Sequence, residues 1–180
     1  ITFDPAELGE EAFGWNFPLG ILIPALFARA QELGVEFTGA DAASVSTASD
    51  AVSVTTSSGK RVTARVAIAA DGRNSLLRDA AGIRTNRWSY DQTALATSFE
   101  HSGPHDGIST EYHKKAGPFT TVPMPGNRSA LVWMERPARA TELMALSDRD
   151  IAAEIQIGTH GELGRVSNVG PRRLFPMQGL

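Results

Sequence analysis

The sequence of 180 residues contains no cysteine. A chain without thiols forms no disulfide, has no thiolate nucleophile and builds no cysteine-ligated zinc site. This composition is typical of a reducing compartment. We therefore expect a cytoplasmic protein, and association with a membrane surface stays open.

The sequence also lacks an excess of positive charge and a long hydrophobic run. Its formal net charge is -3, whereas nucleic-acid binding favours a basic face, so we expect no nucleic-acid partner. The most apolar stretch, FPLGILIPALFARA, contains two prolines and is too short to span a bilayer. The acidic start, ITFDPAELGEE, does not resemble a signal peptide.

The first half of the sequence has the pattern of an α/β domain. Apolar residues recur at helical spacing from Leu19 to Leu33, and Gly34 follows where a glycine commonly ends a helix. The next residues, 35–39, predict a short strand. Alternating segments then predict a hairpin-rich region, and the continuous apolar run Val66–Ala70 is typical of a strand buried on both faces.

The second half has the pattern of an antiparallel sheet followed by helices. Four alternating segments between residues 94 and 136 predict strands, and residues 139–157 predict two helices with Ser147 or Asp148 capping the second. Residues 164–180 predict turns without a closing element. We assign the fold to the α/β class, α+β in part, with one domain at residues 1–87 and another at 88–180.

The strongest candidate site is the corner after Val66–Ala70, where Asp71 and Gly72 follow the apolar run. In open α/β sheets ligands bind beyond the carboxyl ends of the strands, and glycine lets a ligand approach the backbone. Ser75 is placed to cap a following helix, whose N-terminus favours an anion such as phosphate. Arg73 and Arg78 add cationic donors. The alternative is an ordinary strand-turn-helix corner with a capping serine.

The segment ADGRNSLLRDAAGI resembles the Asp-Gly motif of single-component, FAD-dependent aromatic hydroxylases of the para-hydroxybenzoate hydroxylase type. Their D-G-x-x-S-x-x-R pattern is matched by Asp71, Gly72, Ser75 and Arg78. Further segments at 13–35, 89–101, 117–135 and 172–180 follow in the order found in the ubiquinone-biosynthesis branch, the 2-polyprenyl-6-methoxyphenol hydroxylase group. The resemblance covers nearly the whole chain.

This resemblance implies a partial Rossmann-like FAD domain at 1–87 and a substrate domain at 88–180. It implies FAD as cofactor and NADPH as cosubstrate in the hydroxylation of a phenolic ring, with or without a polyprenyl tail, by molecular oxygen. The FAD contacts would come from the corner residues Asp71, Gly72, Arg73, Ser75 and Arg78. For Arg78 a bracing role within the corner is an equal alternative.

The substrate side would lie in the second domain. Pro123, Met124 and Trp133 supply the apolar surface that such a phenol requires. The alternative, which we favour for any single residue, is that they belong to the core of the sheet. No residue of the sequence is identified as catalytic.

The glycine-rich G-x-G-x-x-G turn that holds the FAD pyrophosphate in this family is missing from the sequence. Relatives also often have Asn-Arg where this sequence has Leu19-Gly20. We therefore expect an inactive internal fragment of a monooxygenase, and FAD retention by it stays open. Alternatives are another FAD enzyme, such as an epoxidase or reductase, or a catalytically silent domain that is either monomeric or self-associating.

The histidines do not predict a metal site. His101 and His105 are four residues apart, but Gly103-Pro104 between them excludes the helix that would bring them together. We therefore expect no bound metal.

Overall fold

The apolar patterns produce four α-helices and nine β-strands in the computed structural model, which describes residues 1–180. The helices are α1 (Leu19–Glu32), α2 (Leu76–Ala80), α3 (Pro137–Ala145) and α4 (Asp148–Gly158), and a 3-10 turn spans Pro5–Leu8. The strands are β1 (Ala42–Thr47), β2 (Val52–Thr56), β3 (Arg61–Ala64), β4 (Trp88–His101), β5 (Thr110–Lys114), β6 (Gly117–Met124), β7 (Arg128–Glu135), β8 (Val166–Ser167) and β9 (Arg173–Gly179). The predicted mixture of helices with antiparallel strands is confirmed.

The chain divides into two compact units. The first comprises residues 1–26 and 89–178, and the second comprises residues 27–88 and 179–180. The predicted domain assignment, with its boundary after residue 87, stays a prediction.

The first unit is built on a six-stranded sheet. Its strand order is β5-β6-β7-β4-β8, β9 also pairs with β4, and the pairings along β5-β6-β7-β4-β8 are antiparallel. Strands β4 to β7 confirm the four strands predicted from alternation. Trp133 of β7 lies opposite Leu95 on one side and Phe119 on the other, so the three side chains share one face.

Helices α3 and α4 supply the apolar side chains that cover this face. Leu143 of α3 and Ile151 and Ile155 of α4 are fully buried in the same cluster as the sheet residues. Phe119 and Trp133 meet edge to face, with ring centroids 5.0 Å apart. The hydrophobic core of this unit therefore lies between one sheet face and two helices, which is the usual way a half-buried antiparallel sheet is stabilised.

The junction between α3 and α4 is fixed by polar groups. Ser147 caps α4 by accepting a hydrogen bond from the Asp150 amide at 3.2 Å, as predicted. Arg172 donates to the carbonyl oxygens of Leu143 at 3.3 Å and Leu146 at 2.6 Å, and its guanidinium lies 3.1 Å from an Asp148 carboxylate oxygen. One side chain thus satisfies carbonyls at the end of α3 and pairs with the first turn of α4.

The end of α4 approaches the sheet closely at Gly158. A Cβ on this residue would lie 2.6 Å from the Phe119 ring, which is fully buried. The glycine is therefore required by the packing distance rather than by backbone conformation.

The second unit contains a three-stranded antiparallel sheet of order β1-β2-β3. Val54 of β2 pairs with Val45 of β1 and Val62 of β3, and the register shifts at a bulge between Ala42 and Ser44. The predicted hairpins are confirmed. Gly59 in the β2–β3 turn has a φ of +84°, a conformation that favours glycine.

Three predictions from the apolar pattern are wrong. Residues 35–39 and Val66–Ala70 form no strand, while residues 164–180 contain the strands β8 and β9. A strand buried on both faces needs neighbouring strands, and none of this chain pairs with Val66–Ala70, so Val66 and Ile68 are 73% and 87% exposed. Residues 164–180 form strands because β8 and β9 both pair with β4. Gly179 at the end of β9 lies against Trp88 at the start of β4.

Helix α1 confirms the predicted helix, and Gly34 after it has a φ of +78°. No residue of α1 is buried, Leu22 is half-buried, and the other large apolar side chains are exposed: Leu19, Ile21, Ile23, Leu26 and Phe27. No helix of the structure combines the length and apolar character needed to cross a membrane.

We expect Arg172→Met to lower the free energy of unfolding by about 1–3 kcal/mol, because it leaves carbonyls of α3 without a partner. Urea denaturation measures this change. The matched control is Arg149→Met, an exposed arginine in α4. Equal effects of the two substitutions would contradict the bracing role of Arg172.

We expect Gly158→Ala to destabilise the protein by about 1–3 kcal/mol, because the added methyl group overlaps the buried Phe119 ring. Helix propensity alone predicts the opposite sign, since alanine is favoured over glycine by about 1 kcal/mol within helices. Thermal unfolding of the two proteins distinguishes the explanations, and a stabilised variant would show that the ring moves away at little cost.

Candidate functional site

The Asp71 corner is held by the acidic side chain itself. One carboxylate oxygen of Asp71 accepts hydrogen bonds from the backbone amides of Leu76 at 2.8 Å and Leu77 at 3.5 Å. These amides belong to the first turn of α2, where backbone donors lack partners within the helix. Asp71 therefore acts as a capping carboxylate placed five residues before the helix donors.

Ser75 completes the cap from the other side. Its hydroxyl oxygen accepts a hydrogen bond from the Arg78 amide at 3.1 Å, and the residue is 5% exposed. Together Asp71 and Ser75 use the amides of residues 76–78. The Asp71 carboxylate therefore takes the place at this helix end where a bound anion was expected. This agrees with the alternative interpretation, a strand-turn-helix corner capped by its own side chains. A ligand at the corner must bind other groups.

The environment of Asp71 stabilises its charged form. A hydrogen bond from the Ser75 side chain lowers the pKa of Asp71 most, and backbone hydrogen bonds, including those of Leu76 and Leu77, act in the same direction. Partial desolvation opposes them but does not prevail. The carboxylate is therefore ionised throughout the neutral range.

The two arginines of the corner differ in what they contact. Arg78 donates to the backbone carbonyl of Arg73 at 2.8 Å and forms an ion pair with Asp79 at 2.9 Å. Its side chain is 12% exposed, so it braces the corner. The Arg73 side chain is exposed and makes no hydrogen bond or ion pair in the structure.

Gly72 leaves the backbone of the corner accessible. Its φ is +79°, and a Cβ placed on it would meet no atom within 4 Å. The corner therefore offers an open stretch of backbone at Gly72 and a free guanidinium at Arg73, beside a fixed carboxylate.

The three candidates for the substrate side lie on both faces of the six-stranded sheet. Trp133 faces α3 and α4, is 4% exposed and packs against Phe119, which places it in the core. Pro123 pairs with the buried Ser129, whereas Met124 pairs with Arg128 and belongs to the opposite face. Both Pro123 and Met124 are half-buried.

Several residues that share the face of Met124 were not predicted from the sequence. By register this face, here called the open face, carries mostly small or medium side chains: Ala96, Val122, Ala130, Val132 and Met134. Val132 is 42% exposed, in contrast to the fully buried residues on the helix-covered face. The sequence signal that could have identified these residues is the strict alternation within β6 and β7, because neighbouring residues of a strand lie on opposite faces.

A family model described as FAD binding domain matches residues 16–175. The match includes the Asp71 corner and both sheets. The chain belongs to the FAD-binding domain family. This confirms the resemblance to FAD-dependent hydroxylases stated from the sequence, and the curated relatives that it matches include hydroxylases and monooxygenases.

Curated relatives of the family include ubiquinone-biosynthesis enzymes. The ubiquinone hydroxylase UbiL of Rhodospirillum rubrum is 45% identical over 123 residues, which cover 68% of this chain and 29% of that protein. The 3-demethoxyubiquinol 3-hydroxylase of Escherichia coli is 30% identical over 109 residues, covering 61% of this chain and 28% of that protein. The chain thus spans about three tenths of the length of these relatives.

Solved structures share the fold at low sequence identity. A flavoprotein/dehydrogenase from Cytophaga hutchinsonii is 17% identical with a TM-score of 0.72, over 92% of this chain and 43% of that one. HpxO of Klebsiella pneumoniae, complexed with FAD and uric acid, is 18% identical with a TM-score of 0.61, over 87% of this chain and 42% of that one. These structures place the fold among FAD-binding proteins.

We expect Ser75→Ala to raise the pKa of Asp71 towards its ordinary value of 3.8, because the largest cause of its lowering is removed. A carboxyl with a lowered pKa in the folded state stabilises the fold above its unfolded pKa, and this stability is lost as pH falls through the folded pKa. NMR titration of the Asp71 carboxyl measures the change.

The control for this titration is Ser49→Ala, at an exposed serine before β2. It should leave the titration of Asp71 unchanged. An unchanged pKa of Asp71 in the Ser75→Ala variant would contradict the assigned hydrogen bond.

Proposed function

We propose that this chain is part of a flavin-dependent monooxygenase that hydroxylates a phenolic ring related to ubiquinone precursors, using NADPH and oxygen. The observation that carries the proposal is the family match over residues 16–175, which includes the Asp71 corner. The names of the curated relatives, which hydroxylate ubiquinone intermediates, support the phenolic substrate. We also propose that the protein is cytoplasmic, that it docks on a membrane surface and that it self-associates.

The corner fits a contact with the polar part of FAD better than a phosphate cradle. Its helix amides are used by Asp71 and Ser75, whereas the Gly72 backbone and the Arg73 guanidinium are accessible. We therefore assign the direct contact to Asp71, Gly72 and Arg73, and the bracing of the corner to Ser75 and Arg78. Bound FAD would supply the redox chemistry of oxygen transfer.

The open face supports the substrate assignment. A flat phenol and an apolar tail require a surface of small apolar side chains with few charges, which Val122, Ala130 and Val132 provide. Met124 lies on the same face and stays a substrate candidate. Trp133 would act indirectly, by supporting this face from the core behind it, and Pro123 shares that covered side.

We further propose that the chain functions within a longer polypeptide. Val66, Ile68 and the apolar side chains of α1 are exposed to an extent that is rare in an isolated monomer. Additional strands beside Val66–Ala70 would bury Val66 and Ile68 and complete the strand buried on both faces that their sequence predicts. The shortness of the chain relative to its relatives agrees with this proposal.

We expect Arg73→Gln to weaken FAD binding about tenfold, because a charge-assisted hydrogen bond is lost while the corner keeps its brace. Flavin absorbance or fluorescence during titration with FAD measures the affinity, in the longer protein and in this chain. The matched control is Arg61→Gln, at an exposed arginine in β3. Equal affinities of the two variants would contradict the contact at Arg73.

Turnover tests the reaction separately. The longer protein should oxidise NADPH in response to a phenolic substrate and yield a hydroxylated product. A flavin-loaded protein that consumes no NADPH with any phenol, or that reduces substrate without inserting oxygen, would contradict the hydroxylase assignment.

A further inference from the structure

A polar cavity of about 540 Å³ lies in the first unit, at one end of the six-stranded sheet. Three chain segments form its walls: the end of β4 with Ser102, the β6–β7 turn with the start of β7, and residues 165–167 including β8. It borders the open face, since Glu100 and Arg128 lie on that face by register, but its other walls are the β6–β7 turn and residues 165–167. The proposed function leaves this cavity unassigned.

Hydrogen bonds hold the three walls together. The His101 amide donates to the Asn127 carbonyl at 3.0 Å, which joins β4 to the β6–β7 turn. The Ser102 amide donates to the Arg165 carbonyl at 3.1 Å, and the Arg165 amide donates to the Ser102 hydroxyl oxygen at 2.9 Å. The cavity is therefore shaped before any ligand binds, which reduces the entropy cost of binding.

The His101 ring fixes the base of the cavity. The residue is 5% exposed, and its Nδ1 lies 2.8 Å from the Gly103 carbonyl oxygen. Because a carbonyl only accepts, Nδ1 carries the hydrogen, and in the neutral ring Nε2 accepts from the Ser129 hydroxyl at 3.0 Å. Both ring nitrogens are thus used within the protein, and His101 serves as a positioning residue.

Several donors at the cavity have no partner in the protein. The Arg165 guanidinium forms no hydrogen bond or ion pair in the structure, and neither do the side-chain amide of Asn127 and the hydroxyl of Ser167. A guanidinium carries a planar set of N–H groups that matches phosphate and carboxylate oxygens. These three residues are exposed, so water satisfies their donors until a ligand with acceptor oxygens replaces it.

The charges at the cavity also favour an anion. Glu100 is its only acidic lining residue, and this carboxylate pairs with Arg128 at 3.6 Å and accepts from the Asn168 amide at 2.6 Å. Arg128 additionally donates to the Ser98 hydroxyl at 2.8 Å. With Glu100 balanced by Arg128, the charge of Arg165 is left uncompensated.

We propose that this cavity binds a small oxyanion, the phosphate or carboxylate group of a small molecule, through Arg165 with Asn127 and Ser167. Arg165 supplies the charge, while the amide and hydroxyl orient the oxygens. The argument for this site uses neither the Asp71 corner nor the proposed reaction, so its test does not depend on flavin or turnover.

The test is a titration of the full 180-residue chain with inorganic phosphate and, separately, with acetate, followed by calorimetry and by amide NMR. We expect saturable binding that shifts the resonances of Asn127, Arg165 and Ser167. Arg165→Gln should weaken binding about tenfold or more, as expected for loss of a charge-assisted hydrogen bond. The matched control, Arg149→Gln, changes an exposed arginine outside the cavity and should bind like the unaltered chain.

A second variant keeps the test valid if Arg165→Gln disturbs β8. Asn127→Asp keeps the size and the backbone carbonyl of the residue but introduces a negative charge, so it should abolish anion binding. Binding of phosphate alone would identify a phosphate site, and binding of acetate alone a carboxylate site. Absence of saturable binding to either anion, or equal affinity in the Arg165→Gln and Arg149→Gln variants, would overturn the proposal.

Discussion

The burial of one face of the six-stranded sheet beneath α3 and α4 is the constraint on which the first unit depends. Leu95, Phe119 and Trp133 point into that core, so alternation sends their neighbours to the other side. A shift of one residue in the register of β6 or β7 would exchange the two faces. The same packing that stabilises the fold therefore decides which side chains are available to a ligand.

At the Asp71 corner, structural and functional roles are distributed among adjacent residues. Asp71 and Ser75 satisfy the helix end and Arg78 ties it to the preceding turn, which leaves Gly72 and Arg73 facing outward. Ser75 and Arg78 thus serve to brace the corner, whereas Asp71 both caps the helix and, in our proposal, contacts the ligand together with Gly72 and Arg73. Such support from neighbouring groups is typical of sites that require fixed geometry.

The sequence predicted the elements whose signals are local. The alternation of β4 to β7, the Ser147 cap and the helix before Gly34 depend on nearby residues, and all three are confirmed. Val66–Ala70 was wrongly predicted as a strand because its order depends on partners that no local pattern reveals. Local patterns also could not show that Trp133 lies in the core while Met124 lies on the open face, because this depends on the register between strands. Nor could they show that Asp71 caps α2, because this depends on the path of the turn between them.

The pairing of β9 with β4 brings the two ends of residues 88–179 together, because Gly179 lies against Trp88. The two ends of this segment therefore lie side by side, as chain ends of compact domains often do. Grafting this segment between related proteins, or circularly permuting it by joining its paired ends, would require only a short linker. In evolution the same arrangement would let the sheet and its two helices be exchanged or reordered as one unit.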